Sequence, residues 1–188
     1  MNSDTQHLRQ SLRHKRRQLG VGSQIASAKR LADVITELPI YAVSRHIAFY
    51  LANDGEINLL PLLKQTWQQG KHCYLPVIDG DQLTFVHFTP GAPLASNQYG
   101  IPEPTAGRQC PLAKIDLVLV PLVAFDHHGN RLGMGGGFYD RTFASQLGHD
   151  RRLGDKQPAL CGVGHSFQQV ASLTPQKWDF PLDWVAVG

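Results

Sequence analysis

The chain has 188 residues, of which 42% are hydrophobic and 18% charged, with a formal net charge of +3. That length suits one domain, residues 1–188, with a single substantial core. No apolar run approaches the length of a membrane span, and the opening MNSDTQHLRQ has no signal-peptide apolar region. Cys73, Cys110 and Cys161 are widely spaced, odd in number and without metal-ligand spacing, which fits a reducing cytoplasm with Cys73 and Cys161 as small apolar residues in strands.

The charge is unevenly spread. Arg9, Arg13, Lys15, Arg16, Arg17, Lys29 and Arg30 occur with no acid between Asp4 and Asp33; taking these from the 18 Lys and Arg leaves 11 bases against 15 acids. A positive charge this local suggests a site for a polyanionic ligand rather than a uniformly basic surface. Residues 4–20 read as a basic helix closing at Gly20. Arg9, Arg13 and Arg16/Arg17 share one of its faces, which is either solvated or turned to an anion.

A second helix is expected from a cap at Ser23 to Leu38, with Ala28, Leu31, Ile35 and Leu38 as its apolar stripe and Pro39 as its stop. Residues 46–51 read as a strand, 53–58 as a polar loop and 59–69 as a helix with Pro61 in its first turn. A loop leaving the end of a strand is where open α/β sheets bind ligands. Strands follow at 72–75 and 83–88 around an Asp79-Gly80 turn. The proline-rich stretch 89–110 is too long for an ordinary connection and reads as a binding loop.

The apolar run Ile115, Leu117, Val118, Leu119 and Val120, closed by Pro121, suits a strand buried on both faces of a parallel sheet. His127-His128, in the turn at 126–130, reads as part of a solvated turn rather than a metal pair. Then come four glycines in five residues, Gly133-Met134-Gly135-Gly136-Gly137, and a helix at 138–147. Such a loop either permits a tight turn or aims backbone N–H groups and a helix N-terminus at an anion. It lacks the Lys-Ser/Thr ending of a P-loop, and Phe138 stands where the dinucleotide motif has its last glycine. Arg131 before the loop and Asp140 after it favour the anion reading. Asp140 is placed either to hold Mg²⁺ or to cap the helix. A polar excursion at 148–157, a strand at 158–163, a short helix at 166–173 and a final strand at 178–187 complete the chain. Strands alternating with helices imply a three-layer α/β domain with a mostly parallel sheet.

The block Arg131-Leu132-Gly133-x-Gly135-x-Gly137-Phe138-Tyr139-Asp140-Arg141, preceded by Val120-Pro121-x-x-Ala124-Phe125-Asp126-x-x-Gly129, resembles the 5-formyltetrahydrofolate cyclo-ligase (5,10-methenyltetrahydrofolate synthetase) family. Weaker similarity extends over nearly the whole chain: Arg9-Gln10-Ser11-Leu12-Arg13 matches an N-terminal basic pattern, Tyr99-Gly100-Ile101-Pro102-Glu103-Pro104 a second motif, and Trp178-Asp179-Phe180-Pro181-Leu182-Asp183 the closing one. The resemblance implies a Rossmann-like fold of the sugar-phosphate isomerase and CoA-transferase group. It also implies Mg²⁺- and ATP-dependent cyclisation of 5-formyltetrahydrofolate to 5,10-methenyltetrahydrofolate through a phosphorylated formyl group.

By the same resemblance ATP is bound by Arg9, Arg13 and the segment Arg131, Leu132, Gly133, Met134, Gly135, Gly136, Gly137, Phe138 and Tyr139, with Arg131 and Asp140 catalytic. The folate lies near Asn53, Glu56, Asn58 and Tyr99, and the metal is held by Asp140 and Asp183, with Asp179 as the other acid of the closing motif. The chain departs from some relatives in having Asn58 where they carry an acid, and Met134 and Gly136 where they carry a base. A cytoplasmic monomer acting on a small molecule, without nucleic-acid or membrane partners, is the expectation. Two other readings compete: a phosphosugar isomerase or transferase of the same fold, and a non-enzymatic nucleic-acid-binding module using the basic helix.

Overall fold

The computed structural model describes residues 3–147 and 158–188; the excursion expected at 148–157 lies outside the described residues. Helices α1 (Ser3–Arg17), α2 (Val21–Glu37) and α3 (Pro39–Val43) come first, then strand β1 (His46–Ala48), helix α4 (Leu60–Gln68) and strands β2 (His72–Asp79) and β3 (Gln82–His87). Short strands β4 (Leu94–Ser96), β5 (Pro102–Pro104) and β6 (Gln109–Cys110) lie within the proline-rich stretch. The remainder holds β7 (Leu117–Pro121), β8 (Ala124–Phe125), β9 (Arg131–Leu132), α5 (Phe138–Leu147), β10 (Ala159–Gly164) and β11 (Trp184–Val187), with 3-10 turns at Leu112–Lys114 and Ser166–Gln168.

Seven strands form one sheet in the order β11-β10-β7-β1-β2-β3-β6. The pairings from β11 across to β2 are parallel, and β3 and β6 continue the sheet antiparallel. β7 lies inside the sheet because its side chains are apolar on both faces. Leu117 and Leu119 join one core cluster and Val118 and Val120 the other, following the two-residue period of a strand. On the first face Ala28, Leu31, Ala32 and Ile35 of α2, spaced to share one stripe, pack with Leu62 and Leu63 of α4. On the second, Phe143 of α5 packs with Leu112, Phe180 and Leu182. Burying each such Leu, Ile or Phe contributes roughly 1.5–3 kcal/mol. The result is the mostly parallel, three-layer α/β arrangement that strand-helix alternation implies.

Four local expectations change. The residue preceding α2 is Gly20, in extended conformation, so the helix starts before Ser23. Pro39 not only follows α2 but opens α3, where its fixed φ and missing N–H fit the first turn. The helix expected at 166–173 is a 3-10 turn of three residues, because Val170 donates to the Phe125 carbonyl and Leu173 to Asp126 Oδ2 instead of continuing it. The last strand begins only at Trp184: upstream, Asp179 donates to the Gln176 carbonyl and Phe180 to Asp140, and neither joins a ladder.

Candidate active site

The strands that end at Ala48 and Pro121 deliver their loops to one side of the sheet. A cavity of about 470 Å³ opens there, lined from one direction by Arg13, Arg131, Gly133, Met134, Gly136, Gly137, Phe138, Tyr139 and Asp140, and from the other by Tyr50, Asn53, Glu56, Leu75, Ile78, Asn97, Tyr99 and Ile101. This is the carboxyl-end crevice that a parallel α/β sheet offers to a ligand.

The first wall is built on the two-residue ladder of β8 with β9. Asp126 fixes the connecting turn, accepting from the N–H groups of His128 and Asn130, from Asn130 Nδ2 and from Leu173 N–H. Burial alone would raise this carboxyl, but those hydrogen bonds outweigh it and hold it below its ordinary range. The turn thus sets the course of Arg131, which forms a salt bridge to Asp140 Oδ1 and donates to the Phe180 carbonyl. Phe180 N–H closes the arrangement on the same Oδ1 at 3.2 Å. Among the described residues, Asp140 Oδ2 makes no hydrogen bond.

Between Arg131 and Asp140 the glycines are exposed or half-buried. Gly135 has φ +102°, which L side chains rarely adopt, and a Cβ there would meet no atom nearer than Arg9 Cζ at 3.9 Å. Its requirement is therefore conformational and not one of crowding. α5 starts directly after the loop, and Arg141 returns from that helix to donate to the Gly136 carbonyl at 2.7 Å.

Helix α1 covers this wall. Leu12 packs against Val123 and Ala124, the residues that follow β7, and so brings the arginine face inward. Arg9 is buried and donates through Nε to the Gly133 carbonyl at 2.9 Å. Arg13 donates through Nε to Asp54 Oδ2 at 2.7 Å. Arg16, only 1% exposed, donates to the Asp54 carbonyl and carboxylate and to the Leu122 carbonyl. Burial first, and then the charge of Arg13, lower the pKa of Arg9.

The opposite wall is apolar and aromatic with an acid at its base. Glu56 Oε2 accepts from Asn53 N–H at 3.0 Å; burial pushes its carboxyl above the ordinary value, and the Asn53 N–H and Arg16 only partly offset that. The phenols of Tyr50 and Tyr139 are also pushed up, first by burial and then by the charge of Glu56. Asn97 shapes the loop joining β4 to β5, its Oδ1 accepting from Tyr99 N–H and Ile101 N–H and its Nδ2 donating to Glu103 at 2.7 Å. Tyr99, 56% exposed, stands edge-on to Phe138 with ring centroids 5.9 Å apart, so it meets the glycine wall across the cavity mouth.

Most residues singled out in the sequence therefore converge. Arg13, Asn53, Glu56, Tyr99, Arg131, Gly133, Met134, Gly136, Gly137, Phe138, Tyr139 and Asp140 line the cavity, while Arg9 and Gly135 lie against the same loop. Asn58 does not join them: it is exposed, and its Oδ1 accepts from Leu60 N–H at 2.9 Å, serving the start of α4. Asp183 is not brought to Asp140 either. It precedes β11 and accepts from Leu160 N–H at 2.7 Å in the amino-terminal part of β10, away from the carboxyl ends of the strands. The carboxyl of Asp179, the other acid of the closing motif, is raised by burial and further by the charge of Asp140. Among the described residues no three His, Cys, Asp or Glu side chains form a metal cluster.

Asp54 and Asn97 carry no signal of their own in the sequence, and neither does the burial of Arg16. Arg16 was visible as part of the basic face, but its burial depends on a carboxylate 38 residues away. His127 and His128 are exposed in their turn, and Cys73 and Cys161 are buried, unpaired, in β2 and β10.

A mostly parallel α/β sheet whose strand ends open on a cavity between an arginine- and glycine-lined wall and an apolar, aromatic one forms an enzyme-like crevice. The profile of the 5-formyltetrahydrofolate cyclo-ligase family matches residues 1–188, and the chain belongs to that family of ligases. Among its relatives, the 5-formyltetrahydrofolate cyclo-ligase of Haemophilus influenzae is 36% identical over 188 residues, spanning 97% of this chain and 97% of the relative. The Escherichia coli enzyme of the same name is 36% identical over 176 residues, covering 91% and 93%. The NMR structure of Aquifex aeolicus 5,10-methenyltetrahydrofolate synthetase superposes with a TM-score of 0.82 at 29% identity, covering 97% of this chain and 89% of that one.

Proposed function

We propose that the protein converts 5-formyltetrahydrofolate and ATP into 5,10-methenyltetrahydrofolate, ADP and phosphate, with Mg²⁺. The observation that carries this reading is the meeting of two unlike walls at one cavity: arginines, glycine backbone and an Arg131–Asp140 pair on one side, Tyr99, Ile101, Leu75 and Glu56 on the other. A polyphosphate suits the first and a flat heterocycle the second.

A formyl oxygen is a poor leaving group. Transfer of the terminal phosphoryl group to that oxygen makes it a good one; N10 then attacks the formyl carbon and loses its proton, and the former formyl oxygen departs within phosphate. Such a transfer requires placement and charge neutralisation more than covalent help from the protein. Arg131, Arg9 and Arg13 supply cations, the backbone N–H groups of 135–137 supply donors, and Phe138 to Asp140 supply a helix N-terminus. Asp140, with Asp179 nearby, would hold Mg²⁺, which when bound neutralises phosphate charge. Glu56 and Tyr99 orient the folate. The test is formation of the methenyl chromophore from 5-formyltetrahydrofolate with and without Mg-ATP; formation that ignores ATP, or none at all, refutes the reading. The inward engagement of Arg9, Arg13 and Arg16 speaks against their serving a nucleic-acid surface.

A further inference from the structure

Asp54 is the only non-glycine residue with positive φ among the described residues, at 50°. That conformation is unfavourable for most side chains and least so for Asn and Asp. Its neighbour Gly55, at φ +76°, lies so close to α1 that a Cβ would meet the Arg16 carbonyl oxygen at 2.7 Å. Pressed against the helix in this way, the carboxylate of Asp54 receives three guanidinium groups: Arg13 Nε at 2.7 Å, Arg16 Nη2 at 2.9 Å and Arg17 Nη1 at 3.3 Å. Arg16 is buried, and a buried cation needs a partner. Arg13 is 31% exposed and lines the cavity. Its bond to Asp54 uses Nε, and among the described residues its two terminal nitrogens make no hydrogen bond.

We propose that Asp54 is a positioning residue for the polyphosphate: it tethers Arg13 by Nε so that the terminal fork is presented to the phosphates. A guanidinium fork held at its base has fewer rotamers to lose when it binds, and a bidentate contact depends on its orientation. The proposal rests on the assignment of Arg13 to phosphate. It also has a sign opposite to simple electrostatics, in which removing a carboxylate near a phosphate site tightens anion binding.

Asp54→Asn keeps a residue tolerant of positive φ and removes the charge. In steady-state assays it should raise KM for ATP about tenfold, the scale of one charge-assisted contact, with kcat and KM for 5-formyltetrahydrofolate changed less than about twofold. In an Arg13→Ala background the same change should add little, because the tethered group is gone. A KM for ATP unchanged or lowered in Asp54→Asn overturns the proposal, as does an equal penalty with Arg13 absent. If Asp54→Asn does not fold, Arg16→Met is compared with Arg16→Met/Asp54→Asn, which leaves no buried cation unpaired; the same rise is expected, and its absence is equally fatal. Arg13→Ala with an unaltered KM for ATP overturns the phosphate assignment and this proposal with it, whereas a raised value there and none in Asp54→Asn overturns the tether alone.

Discussion

Asp54 and Glu56 are two residues apart in one loop, yet they serve walls of opposite character. At Asp54 burial favours protonation, but hydrogen bonds from Arg13 and Arg16 prevail and the carboxyl is held below its ordinary value. At Glu56 burial prevails and the carboxyl is raised. On the arginine side Asp54 and Asp140 are each paired with arginine. The tyrosine side is a low-dielectric pocket in which a charge is costly.

The largest expected effect falls on the ionic wall. Asp140→Asn preserves the shape beside Arg131 but removes the carboxylate proposed for Mg²⁺; turnover should fall about a hundredfold or more, on the scale of losing one transition-state electrostatic contact. Mg²⁺ titrations of the methenyl-forming rate, alongside thermal melting, check this; a variant with wild-type metal dependence removes Asp140 from the metal site. Gly135→Val comes next. The site has space for a side chain, but φ +102° does not suit a β-branched residue. The loop should relax at a cost of about 1–2 kcal/mol, weakening ATP at least about tenfold by calorimetry while circular dichroism stays native.

On the aromatic wall effects should be smaller and of a different kind. Tyr99→Ala removes a half-exposed ring worth about 0.5–1.5 kcal/mol in aromatic contact. It should raise KM for the folate about three- to tenfold and leave KM for ATP alone. A rise in both would mean that the walls are not separable.

The smallest effect is on pH dependence. A carboxyl raised in the folded state binds its proton there while the unfolded chain has lost it, so stability falls as pH rises from the ordinary value of 4.5 through the raised one. Glu56→Gln should remove that slope and melt slightly higher at neutral pH. Asp54 acts in the opposite sense: its contribution is present above its ordinary value of 3.8 and is lost as pH falls through the lowered one. Melting temperatures of wild type, Glu56→Gln and Asp54→Asn between pH 3 and 8 would show whether the two slopes separate, roughly as expected for two single-group titrations.

The sheet interior, the glycine loop and the family are legible in the chain alone. Leu117 to Val120 are apolar at every position and rich in branched residues, which suits a strand covered on both faces, and the segment 131–141 carries its spacing within itself. Local signals were weaker wherever a distant partner decided the outcome. Trp178 to Leu182 could have extended β11, but Phe180 is drawn to Asp140 and Arg131 instead. Asn58 looked like a ligand contact and serves the start of a helix; Asp183 looked like a metal ligand and bonds Leu160. The tertiary structure alone decided that Arg16 is buried and that Asp54, unremarkable in sequence, gathers three arginines. Periodicity shows which face of a helix a cation occupies, but a buried charge is permitted only where folding brings a carboxylate to it, and that partner comes from another part of the chain.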